Sequence, residues 1–162
     1  NLGLQAQIKW PNDVVLNGKK LVGILTEMSA QMNYIEYLVT GIGINANLRE
    51  FPEELADKAT SLQKEIGHKV NRSALIAECM KKIEENYEIF VKTQDLSGLM
   101  AAYQEVLVNQ DQQVRVLEPG HEYTGVARGI NAMGELLVEK EDGTITEVYA
   151  GEVSVRGLYG YV

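Results

Sequence analysis

The spacing of apolar residues changes twice along this chain of 162 residues, and both changes limit what it can fold into. Short runs within residues 7–44 show the period of two that is typical of strands. Residues 75–107 instead carry apolar side chains three and four positions apart, as amphipathic helices do. From about Gln113 the period of two returns. This order predicts an α+β protein with a sheet, then helices, then a second set of strands.

The first set of strands is joined by recognisable turns. Asn17-Gly18 stands between two strand-like runs, and Asn-Gly is a strong hairpin signal because both positions tolerate positive φ. Gln31-Met32-Asn33 supplies a second turn before the run at residues 34–44. We therefore expect a mixed or antiparallel sheet of at least three or four strands.

Two apolar stripes follow at helical spacing, and they predict two helices that cover one face of the sheet. The lone cysteine, Cys79, lies on the first stripe, where we expect a buried thiol, and it cannot form an internal disulfide. The first stripe contains Leu75, Ile76, Cys79, Met80, Ile83, Tyr87 and Phe90, and the second contains Leu96, Leu99, Met100, Tyr103, Val106 and Leu107.

The last part of the chain predicts a small β-barrel. Five short strand-like runs follow Gln113, with turns at Met133-Gly134 and Asp142-Gly143. So small a set of strands must close on itself or lean on the first domain to form a core. We place the boundary near residues 109–112, which gives one domain over residues 1–110 and a second over residues 111–162.

Charge and hydropathy narrow the cellular setting. The net charge of −8 and the pI of about 4.8 disfavour non-specific binding to nucleic acid. Any DNA binding would depend on a domain N-terminal to these residues. No apolar run approaches the roughly 20 residues of a membrane span, so we expect a cytoplasmic protein without membrane contact. Since the chain does not start with Met, we also expect that further residues precede it.

Three motifs near the start of the chain could support chemistry. They are Lys9-Trp10-Pro11-Asn12-Asp13, then residues 20–25, then Gly41-Ile42-Gly43-Ile44-Asn45. Asp13 could simply bond a turn at the end of a strand. Lys20 begins the next antiparallel strand, so we expect its ammonium close to Asp13. Gly23 lies inside that strand, where a glycine usually marks the close approach of another group.

In this order, the three motifs resemble the catalytic half of biotin protein ligases. The resemblance implies a biotin/lipoate ligase-like sheet and an Src-homology-3-like C-terminal barrel. It implies that biotin and ATP, with Mg²⁺, form biotinyl-5′-adenylate. A lysine of the biotin carboxyl carrier domain of a carboxylase, such as acetyl-CoA carboxylase, would then accept the biotin.

The resemblance also assigns the charged part of the site. Asp13 and Asn12 would lie near the metal-bound phosphates and the incoming lysine. Lys20 would contact both the carboxylate of biotin and the α-phosphate, as a catalytic and substrate-binding residue. We assign no protein residue as a metal ligand, because His68 and His121 lie in polar loops without neighbouring carboxylates or cysteines.

Four further residues receive binding roles from the resemblance. Gly23 and Leu25 would form the wall that holds the rings of biotin. Asn45 would contact adenine, since an amide offers a donor and an acceptor. Arg156, at the end of Gly151-Glu152-Val153-Ser154-Val155-Arg156, would hold the ligand from the second domain, although a surface arginine on an edge strand would explain it equally well.

One feature of the family does not occur in this sequence. The glycine- and arginine-rich loop that closes over biotin precedes the motif at residues 9–13 in these proteins. If these 162 residues are the entire polypeptide, we therefore expect weak ligand binding and little catalysis.

Two alternative functions and two modes of association remain open at this point. The alternatives are a lipoate-type ligase and a repressor module that senses biotinyl-adenylate. A second copy of the chain is a further candidate partner, and the carrier could dock by β-strand addition.

Overall fold

The computed structural model describes residues 2–118, 120–150 and 154–157, which form two antiparallel sheets and three α-helices. The strands of the first sheet are β1 (Gln7–Lys9), β2 (Asp13–Leu16), β3 (Lys19–Gln31) and β4 (Tyr34–Ile44). They lie in the order β1-β2-β3-β4 with every neighbour antiparallel. The predicted α+β class is therefore confirmed.

Both predicted turns of this sheet are present. Asn17 and Gly18 join β2 to β3 with φ values of 52° and 73°, the left-handed pair of a two-residue hairpin. At the next turn Gln31 pairs with Tyr34. Because these turns fix the register, Asp13 lies opposite Gly23, and Gly23 in turn lies opposite Gly43.

The helices agree only in part with the sequence pattern. The long helix was predicted, but the second predicted helix is confined to six residues, preceded by turns around Leu96–Leu99. A short helix capped by the Ser61 side chain was not predicted. The helices are α1 (Leu62–Ile66), α2 (Arg72–Thr93) and α3 (Met100–Glu105), and a 3₁₀ turn covers Glu53–Leu55. In the described part of the chain, no helix has the length and apolar character needed to cross a membrane.

The prediction that two helices cover the first sheet is wrong, because α2 is largely exposed and Met100 and Tyr103 of α3 pack in the core of the C-terminal sheet. No residue of α2 is buried, and Ile76, Met80 and Tyr87 are 55%, 57% and 62% exposed. Cys79 is half-buried rather than buried. The period of 3.6 correctly identifies which side chains share a face, but it carries no information about what packs on that face.

The C-terminal part forms a five-stranded antiparallel sheet. Its strands are β5 (Gln113–Glu118), β6 (His121–Ile130), β7 (Leu136–Glu139), β8 (Ile145–Val148) and β9 (Ser154–Gly157), and they lie in the order β8-β7-β6-β5-β9. The predicted strands and the turns at Met133-Gly134 and Asp142-Gly143 are confirmed. Among the described residues the two edge strands, β8 and β9, do not pair with each other, so a closed barrel is not formed there.

The main core lies where this second sheet meets the start of the chain. Trp10 and Leu107 are buried together with apolar residues of β5 to β9, and Tyr103 packs against them. The Trp10 indole Nε1 also donates a hydrogen bond to the Gly134 carbonyl at 3.0 Å. Trp10, which follows β1, is thus anchored in the C-terminal sheet. This contact holds the motif at residues 9–13 against that sheet.

Candidate functional site

A cleft of about 590 Å³ opens on the first sheet at β3 and β4. Four of the predicted site residues line it, together with the glycines of β4. Gly43 lies opposite Gly23, and Gly41 lies opposite Leu25, so the floor of the cleft is largely backbone. The lining residues are Asn12, Lys20, Gly23, Ile24, Leu25, Gly41, Ile42 and Gly43.

The charged group at the cleft is an ion pair between two strands. Lys20 Nζ lies 2.5 Å from Asp13 Oδ1, and the two side chains are 41% and 10% exposed. The space for this contact exists because Gly23, opposite Asp13, has no side chain. A Cβ added at Gly23 would lie 3.0 Å from Lys20 Cε and 3.1 Å from Nζ. The predicted proximity of Lys20 and Asp13 is confirmed.

Asn12 is fixed to β3 by two hydrogen bonds. Its side-chain Nδ2 donates to the Ile24 carbonyl at 2.8 Å, and the Ile24 N–H donates to the Asn12 carbonyl at 2.8 Å. These bonds hold the turn between β1 and β2 against the middle of β3. The exposed Asn12 side chain therefore stands at the rim of the cleft, next to Asp13.

Sequence reasoning gave no role to Lys9, which the structure places beside the ion pair. Lys9 is 6% exposed and is the register partner of Asp13 on β1. Burial lowers the pKa of Lys9, Asp13 counteracts this effect, and the nearby Arg156 and Lys20 lower the pKa further. One sequence signal could have identified Lys9: it ends one strand, and Asp13 begins the next strand just after the turn.

Arg156 approaches the same group from the second sheet. It lies on β9, its side chain is exposed, and its charge affects the pKa of Lys9. Three cationic side chains, Lys9, Lys20 and Arg156, thus influence one another at this site in a chain whose net charge is −8. Such a local excess of positive charge attracts anions.

Asn45 lies outside the cleft lining. It follows the end of β4, where its N–H donates to the Leu21 carbonyl at 3.0 Å and its side-chain Nδ2 lies 3.5 Å from the Lys20 carbonyl. The structure thus places Asn45 beside the strand that bears Lys20 but not on the surface of the cleft.

Two remaining predictions concern metal ligands and the C-terminal motif. The described ranges contain no group of three His, Cys, Asp or Glu residues that could hold a metal ion. Gly151, Glu152 and Val153 of the predicted C-terminal motif lie outside the described residues.

Two family models match the chain. The model of the biotin/lipoate A/B protein ligase family matches residues 1–45, which contain all three motifs. The model of the biotin protein ligase C terminal domain matches residues 111–156.

Curated relatives extend the similarity over most of the chain. The bifunctional ligase/repressor BirA of Bacillus spizizenii is 35% identical over 155 residues, which are 94% of this chain and 47% of that protein. The biotin–[acetyl-CoA-carboxylase] ligase of Mycobacterium tuberculosis is 30% identical over 148 residues, or 90% of this chain and 52% of that protein. The chain spans about half the length of these relatives.

Solved structures show the same similarity in three dimensions. The apo biotin protein ligase of Aquifex aeolicus has a TM-score of 0.82 and 34% identity, with 94% of this chain and 65% of that chain covered. The structure of the Aquifex enzyme in complex with biotin and ATP has a TM-score of 0.79 and 32% identity, covering 94% of this chain and 62% of that one.

Proposed function

Because this chain belongs to the biotin protein ligase family, we propose that it supplies part of the active site of an enzyme that joins biotin to a carboxylase carrier domain. The observation that carries the proposal is the Lys20–Asp13 pair at the rim of a cleft lined by apolar strand residues. This arrangement suits a ligand with an anionic end and an apolar body, and biotin is such a ligand.

The first step joins two anions, which explains the need for Lys20. An oxygen of the biotin carboxylate attacks the α-phosphorus of ATP, pyrophosphate leaves, and biotinyl-5′-adenylate forms. Negative charge grows on the α-phosphoryl oxygens in the transition state, and a fixed ammonium offsets it. Lys20, with its side chain 41% exposed, can reach such an oxygen without leaving the cleft.

In the second step the amine of a carrier lysine attacks the activated carbonyl carbon. The bond to the phosphate oxygen breaks, AMP leaves, and an amide remains after the amine loses a proton. Asp13, next to Lys20, would orient the incoming amine or accept its hydrogen bond.

The apolar end of biotin would lie along β3. Leu25 is 64% exposed and lines the cleft with Ile24, so both could cover the rings. Gly23 and Gly43 leave the strand backbones open to the ligand on that wall. Asn45 would contact the adenine ring, and Arg156 would approach the nucleotide from the second sheet.

Magnesium would arrive as part of the substrate, MgATP. Mg²⁺ keeps several waters and is commonly held by one or two carboxylates together with substrate phosphates. A single buried carboxylate, Asp13, with the amide of Asn12 beside it, fits that pattern better than a cage of protein ligands. Its chemistry would be to neutralise the leaving pyrophosphate.

Two alternatives differ in the acid or in the role. A lipoate-type ligase is compatible with the first family model, whose name includes both biotin and lipoate. The name of the Mycobacterium relative, however, specifies biotin as the acid and acetyl-CoA carboxylase as the acceptor, which favours biotin. A repressor module without ligase chemistry is not favoured, because the Bacillus relative's name contains both functions. We propose a cytoplasmic location, where ATP and carboxylases meet.

The experiment that tests the function is a transfer assay by mass spectrometry. A polypeptide of the relatives' full length that contains these residues is incubated with a biotin carrier domain, MgATP and either biotin or lipoate. We expect a gain of one biotin on the carrier and no gain with lipoate. A gain only with lipoate would replace the biotin assignment, and no gain with either acid would remove the ligase function.

We propose that an extended segment of the carrier docks as an additional strand along the outer edge of β4. Within the described residues the outer edge of β4 has no strand partner, and an exposed edge can pair with an extended segment. Val39 belongs to the hydrogen-bonded ladder with β3, so its neighbour Leu38, opposite Met28, presents its N–H to the outer edge. Proline at Leu38 would block this pairing. If Leu38→Pro left carrier affinity unchanged, strand addition at this edge would be excluded.

The C-terminal sheet is proposed to have the Src-homology-3-like topology. Support comes from its five short antiparallel strands around one core and from the close packing at Gly125, where an added Cβ would lie 2.5 Å from the Glu139 carbonyl. We also propose that residues 1–110 and 111–162 act as two domains.

A further inference from the structure

A bulge in β3 directs the side chain of Lys20. On β2, residues 14 and 15 pair with residues 22 and 20 of β3, which leaves Leu21 as an extra residue, a β-bulge. In a regular strand Lys20 and Gly23 would point to opposite faces, because successive side chains alternate. The extra residue returns Lys20 to the face of Gly23, where an added Cβ would lie 3.0 Å from Lys20 Cε. The bulge therefore turns the ammonium towards Asp13 and the cleft.

The backbone of Lys20 is bound on its other side by residues 58–60, which precede α1. The Lys20 N–H donates to the Lys58 carbonyl at 2.8 Å, and the Thr60 N–H donates to the Lys20 carbonyl at 2.9 Å. These bonds form a parallel bridge between Lys20 and Ala59. Ala59 and Thr60 are 7% and 1% exposed, so the segment is fixed within the fold. It thereby fixes the peptide groups of the bulge.

Glu65 of α1 connects this segment to the turn that precedes β3. Its Oε1 accepts a hydrogen bond from Thr60 Oγ1 at 2.5 Å, and its Oε2 accepts one from Asn17 Nδ2 at 2.8 Å. Asn17 belongs to the hairpin that leads into β3, and Thr60 is bonded to the Lys20 carbonyl. One half-buried carboxylate thus ties together the two pieces of chain that hold Lys20.

We propose that Glu65 is a positioning residue for adenylation, because it keeps the bulge in the geometry that directs Lys20 into the cleft. This inference rests on the proposed role of Lys20 at the α-phosphate. Glu65 does not line the cleft, so it acts on the reaction through Lys20. A carboxylate suits this task, since each of its oxygens accepts a hydrogen bond from a different donor. Without it, the turn and the segment at residues 58–60 move independently.

The first test measures the backbone at Lys20 without any assay of activity. Amide hydrogen exchange is followed by NMR in a polypeptide of the relatives' full length. In Glu65→Ala we expect the amides of Lys20 and Thr60 to exchange about tenfold faster, because the bridge opens more often. Asn71→Ala is the matched control, since it removes the N-cap bond of α2 instead and should leave those two amides unchanged. Unchanged amide exchange in Glu65→Ala would overturn the inference.

Biotin-dependent exchange of pyrophosphate into ATP measures the consequence for the reaction. Glu65→Ala should lower the rate about tenfold, because Lys20 is displaced from the α-phosphate. Glu65→Gln should stay within about twofold, since its amide oxygen accepts from Asn17 and its Nε2 donates to the Thr60 hydroxyl. Thr60→Val retains the shape but not the hydroxyl, so it should lose as much as Glu65→Ala, and it decides the question if Glu65→Ala does not fold. A wild-type rate in Thr60→Val would overturn the inference.

The Lys20→Ala background separates positioning from general stability. Because Glu65 acts through Lys20, Glu65→Ala should cause no further loss there, whereas a loss of folded protein would lower the rate equally in both backgrounds. Equal losses would therefore overturn the inference. A wild type without biotin-dependent exchange, or exchange that survives Lys20→Ala, would instead remove the proposed function. The amide exchange at Lys20 would then decide alone whether Glu65 holds the bulge.

Discussion

Lys20 Nζ and Asp13 Oδ1 lie 2.5 Å apart at the rim of the cleft, although the two residues belong to different strands. The contact depends on the hairpin at Asn17 and Gly18, which sets the two strands side by side. It also depends on Gly23, over which the lysine side chain lies. A motif that is linear in sequence thus becomes a charged pair next to an apolar wall.

Gly23→Ala should displace Lys20 without unfolding the sheet. The new Cβ would meet Lys20 Cε at 3.0 Å and Nζ at 3.1 Å, and the end of a flexible side chain can move away. We expect biotin adenylation to fall about tenfold, because the cation leaves its position, while Tm changes little. Steady-state kinetics and thermal unfolding measure the two effects.

Gly41→Ala is the matched comparison on the facing strand. Its Cβ would make only an ordinary contact with the Leu25 carbonyl oxygen, at 3.8 Å. We therefore expect a smaller loss than at Gly23. If the two substitutions reduced adenylation equally, the position of Lys20 would not be what Gly23 protects.

Trp10 should stabilise the protein more than any exposed apolar residue. It is 2% exposed in the main core and donates to the Gly134 carbonyl at 3.0 Å. We expect Trp10→Ala to lower the free energy of unfolding by about 3–5 kcal/mol. Trp10→Phe should cost about 2 kcal/mol, because an acceptor loses its donor.

Urea unfolding measures both Trp10 changes, with Met32→Ala as the control. Met32 is 98% exposed, and its replacement should change the free energy of unfolding by less than about 0.5 kcal/mol. A Trp10→Ala protein as stable as Met32→Ala would show that the two sheets do not share this core.

Tyr103 should make stability depend on pH in the alkaline range. Burial raises the pKa of Tyr103 to about 12 from 10.0. The folded state then keeps the phenol proton where the unfolded state has lost it, so this contribution is present below pH 10 and is lost as pH rises towards 12. The loss should be on the order of 2 kcal/mol.

Tyr103→Phe isolates this effect from other titrations. Unfolding free energies are measured by urea at pH 9 to 11.5 for both proteins, and the free energy of the wild type minus that of Tyr103→Phe should fall as pH rises. A difference that stays constant across this range would show that the phenol is not held in its neutral form.

The local elements could be predicted because their signals are local. The turns at Asn17-Gly18, Met133-Gly134 and Asp142-Gly143 follow from residue type, and the strands from a period of two. The exposure of α2 could not be predicted, since a stripe such as Ile76 to Tyr87 does not specify what packs on it. The burial of Trp10 against the second sheet is likewise a long-range contact.

The site was predicted as far as residue types and strand register allowed. The proximity of Lys20 to Asp13 followed from the hairpin, and Asn12, Gly23 and Leu25 do line one cleft. Lys9 was missed because its burial depends on packing beyond β1 and β2. The catalytic and binding roles of all the predicted site residues stay predictions, because they concern ligands, and Asn45 in addition lies outside the cleft lining.

The most direct measurement is biotin-dependent exchange of pyrophosphate into ATP, in a polypeptide of the relatives' full length. Exchange reports the adenylation step alone, without the carrier. Lys20→Ala should lower its rate by about 10²–10³, and Lys20→Arg should also fail because a planar guanidinium does not replace a point charge. The ammonium of the neighbouring Lys19 instead donates to the Ala56 carbonyl at 3.2 Å, so Lys19→Ala should leave the exchange rate unchanged. Exchange that survives in Lys20→Ala would contradict the account.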